Sequence, residues 1–131
     1  MPAAPAPLLR YAAACLCAIA VLYASVIPVS EGVPRTAFGV ETTILVHVAA
    51  YGLLCGLFGF ALLAADRRAL AAAIALAALY GACIELLQGL IAHRTAEAAD
   101  ALSNAGGAVV GAVLWRVLAP SFGVGRTDDT T

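Results

Sequence analysis

Seven polar side chains in an otherwise apolar chain have the types and spacing to do chemistry: His47, Tyr51, Glu85, Gln88, Arg94, Asp100 and Asn104. His47 and Tyr51 are four residues apart, Glu85 and Gln88 three, and Asp100 and Asn104 four, so each pair shares one helix face. His47, Glu85 and Asp100 are the candidate catalytic groups, because an imidazole or carboxylate can accept a proton while a neighbouring carboxylate orients it. Tyr51, Gln88, Arg94 and Asn104 are the candidate ligand-binding groups. Among them the Arg94 guanidinium suits a phosphate or carboxylate, which it can meet through two parallel N–H bonds. No serine or cysteine is evidently placed as a nucleophile.

His47, Glu85 and Asp100 are also metal-ligand types, and together they would supply three ligands from three separate segments. No HExxH or comparable close ligand spacing supports this, so neither a metal nor another cofactor is expected. Cys15, Cys17, Cys55 and Cys83 lie in apolar blocks without CxxC spacing and read as small packing residues. His93 and Glu97 read as ordinary loop residues. Tyr11, Tyr23 and Tyr80 read as packing or interface aromatics.

The elements that must position these residues follow from composition. Hydrophobic types make up 63% of the 131 residues and charged types 11%, against roughly a quarter charged in soluble domains, too few to cover a water-soluble globule. The apolar residues fall in four blocks, at about residues 8–27, 43–65, 69–91 and 98–119, each long enough for a helix to cross hydrocarbon. The expected fold is all-α, a four-helix transmembrane bundle forming a single domain over residues 1–131, with residues 28–42 as its longest loop and a short polar C-terminal tail. The first block exceeds the apolar core of a signal peptide and is read as a retained helix. Pro120 ends the fourth block, with Trp115 and Arg116 as anchors at the membrane interface.

Net charge is −1, so no basic patch argues for nucleic acid. The arginines are unevenly placed: Arg10, Arg67, Arg68, Arg116 and Arg126 fall on one side of the alternating spans, and Arg35 and Arg94 on the other. The richer side is expected to be cytoplasmic, which places both termini inside the cell and residues 28–42 and 92–97 outside, in the plasma membrane. At 1.5 Å per residue, His47, Glu85 and Asn104 then lie roughly 6 to 9 Å below the outer ends of their helices, with Gln88 and Asp100 shallower and Tyr51 deeper. Three polar stripes therefore meet at one level. Gly81, Gly107 and Gly111 continue two of those stripes, and Gly52 and Gly56 lie beside the His47 face, so close helix packing is expected beneath the cluster.

These residues also carry a family resemblance. Glu85 and Gln88 as ExxQ, then Arg94, then Asp100 and Asn104 as DxxxN followed by Gly107 and Gly111, resemble the signature of the VanZ-like family. His47 and Tyr51 match its HxxxY, and Tyr23, Ser25 and Pro28 resemble its usual end to the first helix, so the resemblance covers about residues 23–111. The family often carries an Asp-Lys pair shortly before the histidine, where this chain has Thr43 and Ile44. The family is named for an accessory protein of teicoplanin resistance, and the resemblance implies no agreed molecular activity; glycopeptide resistance itself would carry over by analogy only.

The expected function is binding or processing of a membrane lipid or lipid-linked envelope precursor at the outer leaflet, with enzyme and binding protein both open. The alternative is a non-enzymatic membrane scaffold whose polar cluster only ties the helices together. Ion transport is disfavoured, because no relay of ionisable residues crosses the inner halves of the spans within one monomer; an oligomer could supply one.

Overall fold

The computed structural model describes residues 5–28, 35–92 and 97–125. Arg94 and His93 lie outside the described residues, as does the tail beyond Gly125. Four helices account for the four apolar blocks: α1 (Pro7–Val26), α2 (Thr42–Leu62), α3 (Arg67–Gln88) and α4 (Ala98–Leu118). All four are long and apolar enough to cross a membrane, and the protein is a multi-pass, four-helix membrane bundle.

The helix ends have local causes. Pro7 sits in the first turn of α1, where its missing N–H costs nothing and its fixed φ suits a helix. Asp66 caps α3, its carboxylate accepting from the backbone N–H groups of Arg68 and Ala69 at 2.9 and 3.0 Å. Helices α2 and α3 each stop three residues before their apolar blocks do. Leu63 takes a left-handed φ of 48° that closes α2, and α3 gives way at Gly89. Apolar residues continue past both helix ends, buried in the core at Ala65 after α2 and exposed at Leu90 after α3.

Within the expected loop at residues 28–42 the structure places a short antiparallel hairpin, β1 (Thr36–Ala37) with β2 (Val40–Glu41). Phe38 and Gly39 form its turn with φ of 54° and 78°, the two positive values a type I′ hairpin turn requires. Two-residue strands leave too little alternation to be read as strands.

Helix α2 touches all three other helices and lies most extensively along α4, while α1 packs on the outside of α2. The contact of α2 with α4 is made by glycine. A Cβ at Gly107 would meet the Val48 carbonyl oxygen at 2.5 Å, and one at Gly111 would collide with the Gly52 carbonyl. No side chain larger than hydrogen fits at either position. The buried core beside this contact is also built of small residues, Cys55, Ala73, Ala77, Ala108 and Ala112, while Leu16, Ile19, Leu79, Leu86 and Leu102 are exposed on the outside. This inside-out sorting fits lipid, where close van der Waals packing rather than water exclusion holds helices together.

The end of the bundle where α1 and α3 begin is fastened by side chains to backbone carbonyls. Trp115, expected as an interfacial anchor, is instead 4% exposed, and its indole N–H donates to the Ala64 carbonyl at 2.7 Å. Gly59 leaves room for its ring, since a Cβ there would collide with it. Arg116 donates to the Ala65 carbonyl at 3.0 Å. Arg10 is buried and donates to the Ala61 carbonyl at 2.8 Å, satisfying one of the carbonyls left over where α2 ends. Sequence position alone marks Arg10 as a flanking charge; only the placement of α1 against the end of α2 shows it as a cap.

Candidate functional site

At the opposite end, where α1 and α3 finish and α2 and α4 start, the polar stripes converge. His47 lies one and a half turns into α2, Asp100 and Asn104 occupy the first two turns of α4, and Glu85 the last turn of α3. His47 Nδ1 and Asn104 Oδ1 are 2.7 Å apart. A carbonyl oxygen only accepts, so Nδ1 carries the proton in this bond and Nε2 is directed elsewhere. Nε2 stands 3.7 Å from Asp100 Oδ2, too far for a hydrogen bond and close enough for electrostatic attraction. Glu85 is 6% exposed and accepts from the backbone N–H of Glu97, immediately before α4, at 3.3 Å. Its carboxylate thus also faces the positive end of the α4 dipole.

Selected ligand atoms of His47, Glu85 and Asp100 all lie within 4.8 Å of one another. Asn104 and Tyr51 stand against them, at 1% and 2% exposure, and the rings of Tyr51 and His47 are stacked with centroids 6.3 Å apart. Gly81 of α3 makes room for both: a Cβ there would lie 2.9 Å from Asn104 Nδ2 and 2.9 Å from Tyr51 Cε1. Sequence spacing identifies Gly81 as a site of close approach, and the structure identifies what approaches.

The set has spare hydrogen-bonding capacity. Tyr51 Oη, Glu85 Oε1 and Asn104 Nδ2 are buried without a hydrogen-bond partner among the described residues. Each such orphan costs about 1–3 kcal/mol, and here two donors and one acceptor lie in one cluster of three helices. Gln88 is placed differently from the others. Its amide donates to the Ser25 carbonyl at 2.9 Å and ties α3 to the end of α1. Of the seven residues singled out by spacing, five converge, Gln88 bridges to α1, and Arg94 falls outside the described residues. The Ser25 carbonyl has no signal in sequence, because any residue type would supply it.

With Nδ1–H committed to Asn104, the lone pair of His47 Nε2 is the one left on the side of Asp100. Comparison with protein families decides the affiliation: the model described as VanZ/LLP1 matches residues 12–119. The chain belongs to the VanZ/LLP1 family. No curated protein and no solved structure matches the chain. The match contains every converging residue of this VanZ/LLP1 protein, all of α2, α3 and α4, and α1 from residue 12 onward, so the cluster is internal to the family domain.

Proposed function

We propose that this VanZ/LLP1 protein binds or processes the polar headgroup of a lipid-linked or cell-envelope molecule at the outer leaflet, with His47, Glu85 and Asp100 at the centre of the site. The observation that carries this reading is the unused capacity of the cluster. A cluster serving only to tie helices together would satisfy its polar atoms within the protein, as Gln88 and Trp115 do by donating to backbone carbonyls. Tyr51 and Asn104 instead keep buried donors without a partner among the described residues, and donors are what the oxygens of a headgroup need. Arg94, which follows Gln88 and precedes Asp100 in sequence, adds the positive charge that would attract a phosphate or carboxylate.

Sidedness rests on arginine distribution. By sequence order the cluster's end carries Arg35 and Arg94, and the other end Arg10, Arg67, Arg68 and Arg116, so the positive-inside rule puts both termini in the cytoplasm and the cluster at the outer-leaflet end of the bundle in the plasma membrane. Reporter fusions at Gly32 and Pro120 test this, and an external reporter at Pro120 would reverse it. The reading of function is tested by lipid and envelope-precursor mass spectrometry on the purified protein beside Arg94→Ala. Enrichment of an anionic lipid-linked species on the wild type alone is expected. Equal profiles at equal abundance would leave the scaffold reading in its place, as would Glu85→Gln and Asp100→Asn variants that lose abundance in step with any phenotype.

A further inference from the structure

The headgroup reading leaves one feature of the cluster without a purpose: its two carboxyl groups. Glu85 and Asp100 come from different helices to a single imidazole, with selected ligand atoms of all three within 4.8 Å. Glu85 Oε1 is buried with no partner among the described residues.

We propose that His47, Glu85 and Asp100 form a binding site for one divalent transition-metal ion of the zinc class, with Asn104 as the residue that positions the imidazole. Bonds of about 2.1 Å from a common ion set tetrahedral ligand atoms roughly 3.4 Å apart. His47 Nε2 and Asp100 Oδ2, at 3.7 Å, stand near that separation while being too far apart to bond each other. The whole triad lies within 4.8 Å, and the group that must move to close the rest is Glu85, whose Oε1 no described residue holds.

The tautomer supports the same assignment. A ligating histidine nearly always donates its other ring N–H to an oxygen, which fixes the ring and leaves the ligating nitrogen with its lone pair. The 2.7 Å bond from His47 Nδ1 to Asn104 Oδ1 does this and turns Nε2 to the carboxylates. One neutral nitrogen and two carboxylates give a charge of −2, which a divalent cation cancels. Three protein ligands also leave at least one coordination position for water or for an oxygen of a bound molecule. The mixed nitrogen and oxygen set suits zinc, manganese or iron better than the all-oxygen ions magnesium and calcium. Close ligand spacing is absent from the sequence because the three ligands come from three helices. The inference concerns the protein's own side chains and holds whichever molecule binds at this end.

The test uses the full chain in detergent, stripped with a chelator and titrated with Zn2+ alone, with Co2+ as a spectroscopic substitute. One saturable Zn2+ per chain is expected. His47→Ala, Asp100→Asn and the isosteric Glu85→Gln should each weaken it at least tenfold. Asn104→Ala should weaken it about ten- to a hundredfold, and Asn104→Asp, which keeps an acceptor oxygen, should restore most of the loss. Bound Co2+ should show ligand-field bands without a thiolate charge-transfer band. That spectrum is read on the wild type and stands even if a variant fails to fold, which helicity and elution volume would reveal. Zn2+ affinity equal in the wild type and in a folded Glu85→Gln variant, no uptake by the wild type, or a thiolate spectrum would overturn the proposal.

Discussion

Replacing Gly111 by alanine should loosen both the bundle and the site, although the same change at Gly106, five residues away on the same helix, should not. A Cβ at Gly111 would lie 2.7 Å from the carbonyl carbon of Gly52 and 2.9 Å from its Cα. The obstacle is backbone, which cannot swing aside as a side chain can. Restoring ordinary contact with the carbonyl carbon, which begins at 3.4 Å against the present 2.7 Å, already requires α2 and α4 to part by about 0.7 Å, and the Gly52 carbonyl oxygen, which is closer still, requires more. Overpacking of this kind costs about 1–3 kcal/mol, at its upper end where no rotamer relieves it. Alanine returns about 1 kcal/mol of helix propensity. The expected net loss is about 2 kcal/mol, roughly a thirtyfold shift in the unfolding equilibrium. Gly106 is the control, since a Cβ there meets nothing within 4 Å and only the propensity gain remains. The displacement also reaches the site: His47 on α2 and Asn104 on α4 are joined across the same contact at 2.7 Å, and parting the helices lengthens and weakens this bond. Denaturant titration of the wild type, Gly106→Ala and Gly111→Ala in the same detergent, followed by helicity, reads the stability term. The histidine ring resonances read the bond. A Gly111→Ala protein as stable as Gly106→Ala, with unchanged His47 resonances, would refute the argument that glycine contact sets the site geometry.

Two further changes probe the opposite end. Arg10→Leu removes the guanidinium that donates to the Ala61 carbonyl at 2.8 Å, and a lost charge-assisted bond of this kind should cost about 1.5–3 kcal/mol in the same titration, with partial recovery in Arg10→Lys. Asp66→Ala removes two hydrogen bonds to the first turn of α3 and should cost about 1 kcal/mol, while Asp66→Asn should lose much less; equal losses from both would show that the cap does not hold the turn.

The two ends of the bundle differ in how far they can be read from the chain. The four spans are legible because lipid imposes a composition on any helix that crosses it, and blocks of apolar residues record that demand directly. The pairs His47 with Tyr51 and Asp100 with Asn104 are legible too, since a helix of known pitch puts residues four apart on one face. Their level in the membrane follows from the same pitch, which is why five of the seven polar residues could be expected to meet.

Sequence could not decide which atoms of those side chains face each other, because rotation and separation of helices depend on packing spread over every contact. Gly52, Gly107 and Gly111 fix how closely α2 and α4 approach, and that distance places Asn104 against His47 rather than merely near it. The same packing carries Trp115 inward to the Ala64 carbonyl and turns Gln88 to α1. Partners such as the Ser25 and Ala64 carbonyls belong to the backbone, which is the same at every residue and leaves no mark in sequence. Spacing therefore determined the helices and the level at which their polar residues lie, and tertiary packing decided which of those residues bond, which are left with spare capacity, and that His47, Glu85 and Asp100 come within reach of one ion.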